Sequence, residues 1–347
     1  MRIVNSVLGD ATGGRWQVVC EYSRVLSEHG HPVLLLLNTR HAPAAPLIPA
    51  GVRVEWISNR GHFDFPAAWR VRRLLRRFRP DLAIAHCSRS VALLKRAARG
   101  MAPVVAVSHS NKVRRLLPAD AYLPLTAHIE QKIKQAGAPV ATRPCHIVPN
   151  MIDVGPGHYP DQQRHDPPRI GALGRFDPVK GFDIYIEALG LLHERGIPFQ
   201  AVLGGSGEMH PQLQAQAQRL GLGEQLDFPG WIDNVDNFLA GADILCIPAR
   251  SDAFGLTPLQ AAVAGVPMVL SRAAGHSEMF HDGEQALFSP VDDAAAMADQ
   301  IQQLITNPAL SEQLRHAAYR HVVEHYSTRV VTENLLQAIV SIKKYYN

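Results

Sequence analysis

The sequence predicts an α/β protein built as two open, parallel-sheet domains, and three observations carry that expectation. Short apolar runs such as 33–37, 82–85 and 244–247 sit between turn residues and alternate with segments of helical spacing, the pattern of strand–helix–strand units whose strands are buried on both faces. At 347 residues the chain is long for one domain and comfortable for two. Residues 154–168 hold Gly155, Pro156, Gly157, Pro160, Pro167 and Pro168 with little that is apolar, which reads as a linker. The expected division is therefore a first domain over 1–153, a second over 169–329, and a last helix over 330–347 that crosses back to the first.

Composition narrows the class further. The apolar fraction of 46% is that of a soluble globular chain, and no run approaches the ~18 apolar residues of a membrane span. Met1 to Val7 leads straight into a strand-like segment without a long apolar stretch or a small-residue cleavage site, so no signal peptide is expected. Four widely separated cysteines, Cys20, Cys87, Cys145 and Cys246, read as buried thiols in a reducing compartment, and a cytoplasmic location follows as the expectation. The net charge of +4 conceals a polarity: residues 1–153 carry 22 Lys and Arg against 9 Asp and Glu, net +13, and the remainder 13 against 22, net −9. Two dense patches lie in the basic half, Arg70, Arg72, Arg73, Arg76, Arg77 and Arg79 in one helix, and Lys112, Arg114 and Arg115 beside two leucines. A basic face with interleaved apolar residues suits peripheral contact with an anionic membrane, each cation contributing ~1 kcal/mol near such lipids. Solvated surface arginines are the plainer reading, and no helix-turn-helix, RNA-recognition or zinc-finger pattern supports nucleic acid.

In the first domain a strand over 2–8 runs into the loop Gly9 to Gly14 and a helix over 15–29 with apolar residues at Trp16, Val19, Cys20, Tyr22 and Leu26. The loop lacks the G-x-G-x-x-G spacing of a dinucleotide site, but the pair Gly13 and Gly14 would let backbone approach a phosphate. A connection with Pro43, Pro46 and Pro49 precedes a strand over 52–57 and the arginine helix. Strands over 80–86 and 104–107 then place His86 and His109 at neighbouring strand ends on one edge of the sheet. Satisfied structural histidines are the commoner case. A strand over 122–125, a helix over 127–135 and a strand end over 146–153 close the domain.

The second domain opens with a strand, a loop bearing Arg175 and Lys180, and a helix through Leu192. Two fixed cations on one turn suit an anion, Arg175 by forking two oxygens and Lys180 as a point charge. A strand over 199–205 and the segment 226–232 follow, then the strand 243–247, a polar loop, a helix over 259–264 ended by Gly265, and a strand over 267–270. In open parallel sheets such a loop lies where ligands bind, and the helix start behind it offers unpaired N–H groups. Asp252 at the loop tip and Gln260 eight positions later can face one crevice, with Phe254 and Gly255 setting the turn between them. A glycine loop over 274–278 and helices over 294–305 and 311–325 complete the unit.

These residues carry a resemblance to glycosyltransferase family 4. The loop and helix resemble its E-x7-E region, with Phe254-Gly255-Leu256 and Gly265-Val266-Pro267 in place but Asp252 and Gln260 at the two acidic positions; Gly174 to Gly181 resembles its G-R-x-x-x-x-K-G motif. The resemblance implies a GT-B architecture, two Rossmann-like domains enclosing an interdomain cleft, and a retaining transfer of sugar from a nucleoside diphosphate donor without metal or other cofactor. It implies that Arg175 and Lys180 bind the pyrophosphate and that Asp252 lies by the sugar. Gln260 takes the ribose hydroxyls, which an amide can still bond. Gly13, Gly14 and Gly205 would approach the donor phosphates, main-chain groups near Trp231 and Ile232 the base, and Phe254, Gly255, Leu256 and Thr257 the rest of the donor. His109, with His86, lies on the acceptor side. A basic acceptor domain points to a glycan or glycolipid acceptor of the cell envelope, such as lipopolysaccharide. The alternatives are a GT-B protein that binds without transfer, or another reaction on the same fold such as nucleotide-sugar epimerisation or phosphorolysis.

Overall fold

The computed structural model describes residues 1–41, 48–155, 159 and 164–347. Of the expected connections, Pro43 and Pro46 of the first, and Pro156, Gly157 and Pro160 of the linker, lie outside the described residues. The chain divides into two compact units, one of residues 1–151 with 328–347 and one of residues 152–327.

The first unit runs β1 (Ile3–Val7), α1 (Gly13–Glu28), β2 (Val33–Asn38), β3 (Arg53–Ile57), α2 (Phe65–Phe78), β4 (Leu82–Ala85), α3 (Ser88–Ala97), β5 (Val104–Ser108), β6 (Ala121–Pro124) and α4 (Ala127–Lys134). Its six strands pair in parallel in the order β3-β2-β1-β4-β5-β6. Every residue of β1, β2, β4, β5 and β6 is buried, Asn5, Ser6, Asn38 and Ser108 among them, as strands covered on both faces require. Helix α2 begins where the Asp64 carboxylate accepts from the Ala67 amide and ends at Arg79 in the left-handed region.

The second unit runs β7 (Arg169–Leu173), α5 (Phe182–Glu194), β8 (Gln200–Gly204), α6 (His210–Arg219), β9 (Leu226–Asp227), α7 (Val235–Ala240), β10 (Ile244–Ile247), α8 (Thr257–Val263), β11 (Met268–Ser271), α9 (Ala274–Met279), β12 (Leu287–Ser289), α10 (Ala294–Thr306) and α11 (Pro308–His325). Its parallel order is β12-β11-β10-β7-β8-β9. Ile170, Leu189, Phe199, Leu203, Met297 and Ile301 are all buried in one core beneath α5 and α10. The buried Asp243 ties the entry of β7 to that of β10 by accepting from the His165 amide at 3.1 Å, the His165 ring at 3.0 Å and the Arg169 amide at 2.7 Å. The closing helix α12 (Thr328–Tyr346) belongs to the first unit. There it buries Val331, Leu335, Ile339 and Ile342, and its Tyr346 hydroxyl donates to the Asp120 carbonyl at 2.6 Å.

Several elements depart from expectation. Within the segment 226–232 only Leu226–Asp227 forms a strand, because Pro229 has no amide to donate and Gly230 takes a φ of 83°. Residues 146–153 form no strand; they follow β6 through two bonds, His146 N to Tyr122 O and Val148 N to Pro124 O. The glycine loop over 274–278 is helical, as α9. Helices α3, α6 and α7 carry no expectation from the sequence. Of the four free thiols, Cys20 and Cys246 are buried but Cys87 and Cys145 are only half-buried.

Strand order decides where ligands fit. In the first sheet β1 connects to β2 on one side while β4 lies on the other; in the second, β7 connects to β8 while β10 lies opposite. Connections leaving the carboxyl ends of such a strand pair part to opposite faces and open a crevice between them. The loops after β1 and β4 border one crevice, and those after β7 and β10 the other.

Candidate active site

In the second unit the crevice is built by backbone that tolerates only glycine at two points. Past β7 the Asp177 carboxylate accepts from the Val179 amide at 3.0 Å and closes a single turn over Pro178–Lys180. Gly181 then takes a φ of 67°, and a β-carbon there would stand 2.2 Å from the Pro248 carbonyl oxygen, so the turn lies directly on the end of β10. Gly205, with a φ of 145°, lies as closely on Gly174, whose carbonyl oxygen a β-carbon would approach to 1.9 Å. Arg250 fastens the same turn. Its amide donates to Val179 O at 2.9 Å, its guanidinium to Pro178 O at 2.7 Å, and it forks the Asp183 carboxylate at 2.8 and 2.6 Å.

The turn presents Lys180 to the loop after β10, where its ammonium donates to Asp252 Oδ2 at 2.8 Å. The other carboxylate oxygen accepts from the Phe254 amide at 3.3 Å, and the Asp252 carbonyl accepts from the amide of Gly275 in α9 at 3.2 Å. Burial raises the Asp252 pKa, but Lys180 and His276 together hold it below the usual carboxylate value. His276 is fully buried, and its Nδ1 lies 3.0 Å from the Ser271 carbonyl oxygen. A carbonyl only accepts, so Nδ1 carries the hydrogen and Nε2 of the neutral ring is left as an acceptor, buried without a partner among the described residues. Sequence reasoning passes over both Arg250 and His276. His276 lies within the 274–278 glycine loop but is not marked by it, and the contacts of Arg250 span up to 72 residues.

The remaining expected residues of this unit fall around the same loops. Arg175 is 70% exposed and 3.3 Å from Asp177. The Gly205 amide donates to the Gly230 carbonyl at 2.7 Å, the Ile232 side chain covers Gly204, and Trp231 is exposed. Gly255 and Leu256 lead into α8, which Thr257 opens and on which Gln260 is half-buried. Pro258 in its first turn starts this helix two residues earlier than expected. The Phe254 ring turns into the core, edge-on to Tyr326 at 5.4 Å, so this residue faces the loop through its backbone.

In the first unit the structure joins the two histidines. His86 follows β4, His109 follows β5, their rings stack at 5.1 Å, and His86 Nδ1 lies 2.9 Å from His109 Nε2. Tyr22 meets His86 edge-on at 5.0 Å. Burial lowers both pKa values; His109 and Arg15 deepen the effect at His86, and Arg15 helps to push His109 down to about 3. The pair is therefore neutral at physiological pH. Its shared bond leaves one donor and one acceptor on the two outer nitrogens, whichever tautomer is present. Both rings line a cavity of about 600 Å³ with Gly9, Asp10 and Arg15. Gly13 and Gly14 open α1 beside it in sequence, both exposed. Among the described residues no three His, Cys, Asp or Glu side chains cluster as a metal site would need.

The histidine pair gives folding stability a definite pH dependence. The folded-state pKa of His109 lies below its ordinary 6.5, so the unfolded chain binds the extra proton; stability is complete above pH 6.5 and falls as pH drops from there toward about 3. Asp252 adds a loss only below its ordinary 3.8. Urea unfolding is expected to lose about 2 kcal/mol through His109 by about pH 5, and His109→Gln to make that limb shallower while leaving the limb below pH 3.8 in place. An unchanged slope in the variant contradicts the assignment.

Comparison with known proteins agrees with this arrangement. A family model described as Glycosyltransferase Family 4 matches residues 12–155, and one described as Glycosyl transferases group 1 matches residues 159–321. The lipopolysaccharide core biosynthesis glycosyltransferase LpsE of Rhizobium meliloti (strain 1021) is 25% identical over 276 residues, 78% of this chain and 79% of that protein. A phosphatidyl-myo-inositol mannosyltransferase of Mycobacterium leprae is 32% identical over 183 residues, about half of each chain at 50% and 48%. Among solved structures, Anabaena Alr3699/HepE in complex with UDP and glucose superposes with a TM-score of 0.81 at 18% identity, covering 98% of this chain and 100% of that one. With one family model on each unit and two six-stranded parallel sheets in the arrangement of the GT-B structures, the chain belongs to the GT-B glycosyltransferases of family 4.

Proposed function

We propose that this enzyme moves a sugar from a nucleoside diphosphate donor, with retention of anomeric configuration, to a glycan or glycolipid acceptor of the cell envelope. The observation that carries the reading is the Lys180–Asp252 contact of 2.8 Å in the crevice between β7 and β10. One of the three ammonium N–H groups of Lys180 meets Asp252, and the others can meet a phosphate while the carboxylate meets a sugar hydroxyl. Arg175, exposed at the mouth of the same turn, forks a second phosphate oxygen. Gly205 lets phosphate approach backbone, and Gly13 and Gly14 offer the first unit the same freedom. Main-chain groups at Trp231 and Ile232 take the base, those of Gly255, Leu256 and Thr257 the sugar and phosphate, and the Gln260 amide the ribose. No metal or other cofactor enters this scheme, because Arg175 and Lys180 meet the charge of the leaving diphosphate. His109, neutral and bonded to His86, holds the acceptor hydroxyl.

The bond between the anomeric carbon and the diphosphate oxygen breaks with its electron pair passing to the diphosphate. The acceptor oxygen bonds to that carbon on the same face, and its proton passes to the departing phosphate oxygen. The names of two relatives support the substrate classes: LpsE acts in lipopolysaccharide core biosynthesis, and the Anabaena structure holds UDP and glucose.

In a thermal-shift panel of UDP-, GDP-, ADP- and CDP-sugars, one nucleotide is expected to raise Tm by about 3 to 5 °C, and Arg175→Ala to abolish the rise. Flat curves for all four overturn the donor reading, whereas a shift with no sugar transferred favours a protein that binds without transfer. The anomer of the transferred sugar, read from proton coupling constants, tests retention, and an inverted product sinks it.

The acceptor reading includes membrane contact, supported by the face around α2. Phe63, Phe65 and Trp69 are 77%, 64% and 64% exposed, and Arg70, Arg73, Arg76 and Arg77 are exposed on the same helix. Aromatic rings beside arginines suit the interface of an anionic bilayer, although among the described residues no helix is long and apolar enough to cross one. Sedimentation with phosphatidylglycerol vesicles at low salt is expected to carry the protein down and Trp69→Ser to weaken binding about tenfold. Equal binding to neutral vesicles, or none, contradicts this contact.

A further inference from the structure

Nothing in the fold or the proposed transfer accounts for the charge gathered in the cavity beside His86 and His109. Five cationic side chains line it, Arg15, Arg89, Lys112, Arg114 and Arg115, against one carboxylate, Asp10, which already accepts from the Thr12 hydroxyl at 3.0 Å. The described ion pairs of this unit engage Arg24, Arg53, Lys95, Lys134 and Lys343, and none of the five. Arg15 Nη1 is held by the Asp10 carbonyl at 3.2 Å, and Arg89 Nη1 lies 3.4 Å from the Leu8 carbonyl, contacts that orient the guanidinium groups without neutralising them. Arg15 Nε, Arg89 Nε and His86 Nε2 are sealed from solvent with no partner among the described residues, and His86 is only 1% exposed.

Positive charge without an ion-pair partner, gathered beside the sealed Nε atoms of Arg15 and Arg89 and Nε2 of His86, opposes folding, and an anion bound there would relieve both costs. The charge extends beyond this cavity. His62 also lines a second cavity of about 650 Å³, where Arg40, Arg60 and Arg70 face only Asp64. That carboxylate is occupied by the Ala67 and Arg60 amides, both at 2.9 Å. Two adjoining basic cavities offer more room than a single phosphate needs and fit a chain of sugars bearing anionic groups.

We propose that the acceptor is an anionic glycan, with a phosphate or carboxylate on the sugar next to the accepting hydroxyl seated among Arg15, Arg89 and the cations of the β5–β6 connection. This deepens the acceptor half of the proposed function and rests on it. The donor diphosphate is the other possible source of the same anionic chemistry, and the test separates the two.

Binding of phosphorylated mannopentaose and of unphosphorylated mannopentaose is measured by calorimetry, with UDP, GDP, ADP and CDP as donor probes. The wild-type protein is expected to bind the phosphorylated sugar about tenfold more tightly or better, with the gap closing from about 50 to about 300 mM salt. Arg114→Gln/Arg115→Gln, changed at two exposed positions that leave folding intact, and separately Arg89→Gln, are expected to close the gap while nucleotide affinity stays unchanged. Equal binding of the two sugars overturns the inference, as does loss of nucleotide affinity with the sugar preference intact, which would give these cations to the donor. A wild-type protein that prefers the phosphorylated sugar but binds no nucleotide upholds the anionic subsite while the donor reading fails.

Discussion

The reversal of strand order in each parallel sheet is the constraint on which this molecule depends. Parallel strands cannot be joined by tight turns, so helices must cross over their faces, and where the crossovers change face the loops part. The chain has two such places, beside β1 and β4 in one unit and beside β7 and β10 in the other. Both hold the polar side chains that the strands exclude: the His86–His109 pair with its arginines in the first, Lys180 with Asp252 in the second. Buried strands fix the ends of those loops, and glycine permits the close approaches that bring them together. Gly181 against Pro248 and Gly205 against Gly174 are contacts any β-carbon would forbid.

The two crevices differ in electrostatic character. In the second unit the charges are matched: Lys180 meets Asp252, and Arg250 meets Asp183 and Asp292. Pairing orients Lys180 and leaves the site close to neutral, suited to a ligand whose charge is met by a few fixed donors. In the first crevice Arg15, Arg89, Lys112, Arg114 and Arg115 have no ion-pair partner among the described residues, and cations there push neighbouring histidines toward the neutral form, after burial has done the same. The charge polarity along the sequence, net +13 before residue 154 and −9 after it, therefore has a local meaning in the crevice as well as on the exposed face of α2.

Much of this was legible in the sequence because the relevant signals are local. Strands buried on both faces announce themselves as apolar runs, and the Gly174–Gly181 and Asp252–Gln260 stretches each hold their residues within one turn and its flanks. His86 and His109 could be set on one sheet edge because each ends a recognisable strand. Contacts between distant segments were not legible. Arg250 reaches Asp183 across 67 residues, and nothing next to it in the chain marks it as the fastening of the Lys180 turn. His276 lies in a stretch that reads as a glycine loop, yet Ala274 in place of the first glycine favours the helical turn that is found. The α3 segment was missed because its cap is a cysteine, Cys87 accepting from the Ser90 amide, rather than one of the usual oxygen-bearing residues.

The most direct test of the central claim is amide hydrogen exchange read by mass spectrometry with and without each of UDP, GDP, ADP and CDP. If the crevice between β7 and β10 is the donor site, exchange slows in residues 174–181, 204–207 and 251–260, the turns that hold Arg175, Lys180, Gly205, Asp252 and Gln260. Protection confined to other segments, with these three unchanged under saturating nucleotide, would contradict the account.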